Sequence, residues 1–273
     1  MKHTRFILIP IVAIMFLISA CATPGNSNLN SLLWMQTSSE YKASCLQTYN
    51  TAKKNIDAAL NDRGWTAALE QNGEFLSLPA AVVMDIDDTV LDSAKFQAKL
   101  INDGVNWSET AWDEWVAFKN APPVPGAVDF IQAINEKKIE VFFITNRECR
   151  QREKGKCKCP QEQDTIDNLV KVGISGVNPE NVLLQNEQPE WSSDKKSRRE
   201  FITARYRVLM LFGDDLGDFL PNVKKNITPL QRDALVHKNE IKWGIKWYML
   251  SNPVYGSWLK ILEEPRSRYS AGY

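Results

Sequence analysis

Histidine is almost missing from this chain, with two residues in 273. His3 lies at the extreme N-terminus and His237 has no sequence cluster of other ligands around it, so a histidine-built metal centre has nothing to start from. Excess charge is missing as well: 33 Lys and Arg balance 33 Asp and Glu. Such a balance gives no general attraction to nucleic acid, and none is expected as a partner. Internal repeats and low-complexity tracts are absent. Long apolar runs are scarce; the one from Phe6 to Ile18 is too short to span a bilayer comfortably. Cysteine is sparse, at five residues.

What is present at the N-terminus has a direction. Lys2 and Arg5 precede the apolar run, and Ile18-Ser19-Ala20-Cys21 closes it, the pattern of a secretory signal peptide over residues 1–20. The cysteine after Ser-Ala makes the leader resemble a bacterial lipoprotein signal, with Cys21 lipidated after cleavage. Ala22 and Thr23 follow rather than an aspartate, which by that resemblance implies the outer membrane, periplasmic or surface-facing. Without the leader, 31 basic and 33 acidic residues remain. Residues 21–37 are expected to be a tether, polar and turn-rich from Thr23 to Ser31, and residues 38–273 the domain.

Besides Cys21 there are Cys45, Cys149, Cys157 and Cys159. In an exported chain an even number suggests disulfides. A short bridge from Cys149 within its loop fits, and the pairing stays open. A zinc knuckle lacks a fourth local ligand.

Ser38–Leu60 has helical apolar spacing at Tyr41, Cys45, Tyr49, Ala52, Ile56 and Leu60. Ala80–Met84 is continuously apolar, as a parallel strand covered on both faces would be. Further strand-like runs at Glu140–Thr145, Asn181–Leu184 and Arg207–Phe212 alternate with helical patterns at Ala127–Lys137, Asp164–Val172 and Lys196–Tyr206. This alternation predicts an α/β fold with a doubly wound, mainly parallel sheet. Residues 94–121, rich in Phe and Trp, are expected to form a small helical cap insertion, with Trp112 and Trp115 making its own core.

Ligands in open α/β sheets bind outside the carboxyl ends of strands. Three of the expected strands end in polar motifs: Asp85-Ile86-Asp87-Asp88-Thr89, Thr145-Asn146-Arg147, and Gly213-Asp214-Asp215-Leu216-Gly217-Asp218. Asp85 and Asp87, two apart on a strand end, project from one face. A calcium loop would need Gly at the sixth position and Glu at the twelfth, where Val90 and Phe96 stand. The basic run Asp194-Lys195-Lys196-Ser197-Arg198-Arg199 precedes the last helix–strand pair.

These four motifs, in this order, resemble the haloacid dehalogenase superfamily of phosphohydrolases, and within it the class C acid phosphatases. The C-terminal Asn252-Pro253-Val254-Tyr255-Gly256-Ser257-Trp258 is similar to that class too. The resemblance runs from about Leu33 to Trp258. It departs at Asp88, where the family often has Glu, and at Asp215, where it often has Asn and where a second carboxylate beside the metal is expected.

The resemblance implies a Mg²⁺-dependent acid phosphomonoesterase acting on 5′-nucleotides, with nicotinamide mononucleotide a further candidate, through an aspartyl-phosphate intermediate. In that reading Asp85 is the nucleophile, because a carboxylate attacking a phosphate dianion needs nearby positive charge. Mg²⁺ is held by Asp85, the Asp87 carbonyl and Asp214, with Asp218 reaching it through water or orienting Asp214. Lys195 pairs with Asp85 and the phosphoryl oxygens, with Lys196 the alternate. Thr145 and Asn146 hydrogen-bond the phosphoryl group. Asp87 is the acid/base, and since an ordinary aspartic acid titrates near ~3.9, an acidic optimum is expected. Phe96, Trp107 and Tyr255 are candidates to stack an aromatic ring, Phe96 and Tyr255 foremost. Two other functions compete: a phosphatase for sugar or aromatic phosphates, and a non-catalytic surface-binding lipoprotein on the same fold. A homodimer is left open.

Overall fold

The structure, a computed structural model, describes residues 28–153 and 155–270. The leader, Cys21 and the first part of the expected tether lie outside the described residues. Among the described residues no helix is long and apolar enough to cross a membrane.

Among the described residues five strands form one sheet: β1 (Ala80–Met84), β2 (Glu140–Glu148), β3 (Val182–Gln185), β4 (Arg207–Gly213) and β5 (Trp247–Met249). All neighbours are parallel, in the order β3-β2-β1-β4-β5. The chain builds outward from β1 through β2 to β3, then returns to place β4 on the other side of β1. The reversal falls at β1 and β4, where a doubly wound sheet opens a crevice.

The helices are α1 (Leu29–Thr37), α2 (Ser39–Asn61), α3 (Ala94–Asp103), α4 (Glu109–Phe118), α5 (Ala127–Glu136), α6 (Pro160–Lys171), α7 (Lys196–Thr203), α8 (Pro229–Lys238) and α9 (Ser257–Lys260). They cover both faces of the sheet. Val82 and Met84 of β1 pack into one apolar cluster with α2 and α5, while Ala81 and Val83 face a second with Ile202 of α7 and Trp247. Burial on both faces explains the unbroken apolar reading of β1. The Ser38 side chain caps α2 by accepting from Tyr41 N–H at 3.0 Å. One turn-spaced face of α2 then buries Tyr41, Cys45, Tyr49, Ala52 and Ile56, and Tyr49 stacks on Phe212 with ring centroids 5.5 Å apart.

Several expectations change. The tether does not extend to residue 37: α1 is ordered by Leu32 and Met35, which it buries in the core. Its polar, turn-rich start hides two apolar residues at helical spacing. β2 runs past Thr145, so Asn146 and Arg147 are strand residues. β5 was not expected; three residues are too few to carry a pattern. Residues 94–121 contain α3 and α4, packed through Phe96 against Trp112 and Trp115 at 4.9 and 6.2 Å. Cys149 and Cys159 are bridged, Cys157 is exposed, and Cys45 is a buried thiol pushed up to about 11 by burial.

Candidate active site

Asp85 follows β1 directly and Asp214 follows β4, so the sheet's strand order alone makes them neighbours. One carboxylate oxygen from each of Asp85, Asp214 and Asp218 lies within 4.8 Å of the others. Lys195, at the start of α7 and fully buried, has Nζ in contact with Asp85 Oδ1 and 2.7 Å from Asp218 Oδ1. Lys196 instead points outward to Glu200. Burial raises the Asp85 carboxyl to about 7; Lys195 opposes the shift, while Asp218 and Asp87 add to it. Burial, together with Asp85 and Asp218, also drives Asp214 well above the usual carboxylate range. For Lys195, burial pulls downward, but Asp218 and Asp85 outweigh it and hold the ammonium charged.

Two glycines make this density of charge sterically achievable. A Cβ on Gly213 would fall 2.1 Å from Asp218 Oδ2, and one on Gly217 would fall 2.3 Å from Lys224 Cε. The first lets Asp218 fold back over β4, where Oδ2 accepts from Asp215 N–H at 3.0 Å. The second admits Lys224, whose Nζ donates to the Ser193 carbonyl at 2.8 Å.

Asp87 stands on the opposite rim. Arg147 grips it with two parallel hydrogen bonds, Nε to Oδ2 at 3.1 Å and Nη2 to Oδ1 at 2.8 Å. The remaining arm of Arg147 donates to Thr165 Oγ1 on α6 at 3.0 Å. Thr145 is buried, with its Oγ1 accepting from Arg147 N–H at 3.0 Å. Asn146 is half-buried; its Oδ1 accepts from Arg198 at 2.8 Å and its Nδ2 donates to Ser193 O at 3.2 Å. Arg198 also donates to the Thr145 carbonyl, and Arg199 to the Asp218 carbonyl at 2.9 Å while pairing with buried Glu70 at 2.7 Å.

Arg147, Arg198 and Arg199 were given no role from sequence, yet a signal existed. Lys195, Arg198, Arg199 and Ile202 share the i, i+3, i+4, i+7 face, and all four are buried. A charge run at core spacing is the mark of an inward-facing scaffold.

Three assignments are corrected. Phe96 cannot stack on a ligand, because it is 2% exposed and enclosed by Trp112 and Trp115. Asp215 does not add a carboxylate to the cluster. Burial would raise it, but hydrogen bonds from Gly217 N–H and from Ser257 N–H and Oγ hold it below the usual range and anchor α9. Asp88 is more than a shorter stand-in for Glu. It is fully buried at φ 59°, accepts from Ser93 N–H and Oγ and from the Tyr255 hydroxyl, and is raised by burial to about 7. Tyr255 therefore sits beside the site with its hydroxyl committed to Asp88. Trp107 is 55% exposed on the insertion.

Asn252 links this group to the cluster by donating to Asp214 Oδ2 at 2.7 Å. It also borders an open groove of about 540 Å³ lined by Asn30, Ser31, Trp34, Ser251 and Pro253.

The donor set is suited to one kind of ion. Three carboxylates converge with no His or Cys among them, and burial destabilises their charged forms unless a cation joins them. Hard divalent ions with oxygen ligands fit that description. An acidic cluster beside a buried lysine, at the strand-order reversal of a doubly wound sheet, can hold a divalent cation and an anionic group together. The comparisons agree. The chain matches the HAD superfamily, subfamily IIIB (acid phosphatase), over residues 19–258, and it belongs to that family. It is similar to the class C acid phosphatase from Bacillus anthracis at 29% identity and TM-score 0.71, covering 89% of this chain and 92% of that one. A structure of the Bacillus anthracis class C enzyme with tungstate bound matches at 30% identity, TM-score 0.72 and the same coverage. The protein is an acid phosphatase acting on phosphomonoesters, which removes the non-catalytic alternative.

Proposed function

We propose that this phosphatase works through an aspartyl-phosphate on Asp85, requires Mg²⁺, and prefers 5′-nucleotides. The observation that carries the reading is the meeting of Asp85, Asp214 and Asp218 within 4.8 Å, with Lys195 touching two of them. Asp85, Asp214 and the Asp87 carbonyl would hold the ion, with Asp218 orienting them. When bound, the ion offsets the negative charge of the phosphoryl group and of the carboxylates around it.

A carboxylate oxygen of Asp85 attacks phosphorus in line, and the ester P–O bond breaks. Asp87 gives its proton to the departing alkoxide; in that protonated form it keeps Arg147 on one oxygen, and the two-bond grip belongs to the carboxylate it becomes. Asp87 then takes a proton from water as that water attacks the phosphorus of the acyl phosphate, which releases inorganic phosphate and restores Asp85. Lys195 keeps positive charge beside the attacked phosphoryl group, and the Thr145 hydroxyl would supply a further hydrogen bond once the phosphoryl group is seated. Binding of tungstate, a tetrahedral oxyanion, by the similar Bacillus anthracis enzyme supports a site shaped for a phosphoryl group.

Preference for nucleotides is supported by the groove beside Asn252, which offers the half-buried Trp34 as a flat partner for the ring of a leaving group. Export and a lipid anchor at Cys21 in the outer membrane are part of the same reading; they rest on the leader and on residues outside those described. Phosphatase assays with Mg²⁺ or a chelator, on nucleoside monophosphates and on sugar phosphates, test metal and substrate. Acid-quenched protein should carry a phosphoryl group on the peptide containing Asp85. Turnover surviving Asp85→Asn rejects the nucleophile.

A further inference from the structure

The loop from Cys149 to Cys159 has no part in the chemistry above, yet it leaves β2 two residues after Arg147. Its bridge joins the end of β2 to the start of α6, where Cys159 precedes Pro160. The Cys149 end is pinned by its N–H to the Gln185 carbonyl at 2.8 Å. The Cys159 end leads into Gln161 and Thr165, one turn apart. Gln161 accepts from Arg150 N–H at 3.1 Å, and Thr165 holds the third arm of Arg147. The loop also fastens α4 to this corner: Arg150 pairs with Glu109 at 3.0 Å, and Arg152 pairs with Asp113 and Asp164 at 2.8 Å each. The bridge thus ties together the two elements that set the guanidinium facing Asp87: β2, which carries Arg147, and α6, which carries Thr165.

We infer that the Cys149–Cys159 bridge, Thr165 and Arg147 form a positioning unit for Asp87, so that turnover depends on the bridge being closed. The inference rests on the acid/base reading of Asp87. Arg147 is buried and doubly bonded to Asp87, so its own setting is transmitted directly to the carboxyl group. With the bridge open, the end of β2 and the start of α6 keep only non-covalent links at this corner, from Arg147 to Thr165, Arg150 to Gln161 and Arg152 to Asp164, and the carboxyl loses its fixed approach to the leaving oxygen. Lys195 lies at the start of α7, and Thr145, although on β2, is held in register with Leu184 of β3, so the effect falls on kcat rather than KM.

The test uses the purified full chain with and without a phosphine reductant. The S–S bond breaks to two thiols while the phosphine is oxidised to its oxide with oxygen from water; thiol titration verifies opening. A variant carrying Cys149→Ser, Cys157→Ser and Cys159→Ser reaches the same state without reductant and without exchange through Cys157. Both should lower kcat about tenfold with KM within about twofold, the scale of a mispositioned catalytic group. In an Arg147→Ala background, where the grip is already gone, opening the bridge should cost nothing further, a coupling that general loosening does not produce. Unchanged kcat after verified opening, an equal loss in the Arg147→Ala background, or loss of the far-ultraviolet dichroism on opening would each overturn the inference. Asp87→Asn separates the two readings. Full activity of that variant rejects the acid/base role, whereas an inactive Asp87→Asn beside a fully active open-bridge protein rejects the positioning unit alone.

Discussion

Lys195 Nζ lies between two carboxylates, 2.7 Å from Asp218 and in direct contact with Asp85. A lysine buried in this way is charged because of its neighbours, and they are tolerable as anions because of it. Lys195→Ala should therefore lower kcat by about 10²–10³-fold, the usual effect of removing one preorganised stabilising donor. Lys196→Ala, on the exposed side of the same turn, should stay within about twofold in activity and about 0.5 kcal/mol in stability. Parallel kinetics and denaturant melts of the two variants check the contrast.

Gly213 offers a purely steric test. Its substitution by Ala puts a Cβ 2.1 Å from where Asp218 Oδ2 now lies, and the contact is with a short carboxylate side chain that has nowhere to retreat. Gly213→Ala should destabilise the fold by about 1–3 kcal/mol. It should also weaken Mg²⁺ activation, read as a shift in the ion concentration giving half-maximal rate. An unaltered metal dependence would mean that Asp218 has no part in holding the ion.

Burial raises Asp85 and Asp88 from 3.8 to about 7 in the folded chain. A carboxyl group whose folded pKa is raised contributes stability that is fully present below about pH 4 and is lost as pH climbs through about 7. In chelator, Tm should thus be higher at pH 5 than at pH 8. The difference should be about 5 °C or more, since 1 kcal/mol moves Tm by roughly 2–4 °C in a chain of this size. Added Mg²⁺ should raise Tm more at pH 8 than at pH 5, because the ion and protons compete for the same oxygens. Calorimetry at the two pH values decides; a reversed order in chelator would contradict the buried-acid account.

Trp34 belongs to a segment that reads as linker, yet its ring borders the groove next to Asn252. Trp34→Ala should raise KM for nucleoside monophosphates about five- to tenfold, in line with loss of one base–aromatic stack. KM for glycerol phosphate, which has no ring, should hardly move. Equal effects on both substrates would remove the groove from the specificity argument.

Asp215 and Asp214 are adjacent in sequence but opposite in role. Asp214→Asn should abolish metal activation, whereas Asp215→Asn should leave chemistry nearly intact and loosen α9 by weakening the Ser257 contacts. The expected cost is about 1–2 kcal/mol for charge-assisted hydrogen bonds of this kind. Urea melts and metal titrations distinguish them.

Much of this was already written in the linear chain. The apolar run of β1, the strand–helix alternation and the polar strand ends each depend on neighbours a few residues away, so their periodicity survives in sequence. The acidic pair Asp85 and Asp87, and the basic run at Lys195, could be named for the same reason. Spatial choices were another matter. Lys195 meets Asp85 and Asp218 whereas Lys196 meets Glu200, which depends on which side of the α7 start faces the sheet. Arg147, Arg198 and Arg199 become scaffold through distant partners: Asp87 for Arg147, the Thr145 carbonyl for Arg198, and Glu70, 129 residues away along the chain, for Arg199. Phe96 moved from ligand partner to core because two tryptophans close over it, and Asp215 turned away from the acidic cluster because Ser257 was there to receive it. Local pattern encodes what an element is; only packing encodes what its side chains meet, since those partners are brought together by burial rather than by order along the chain.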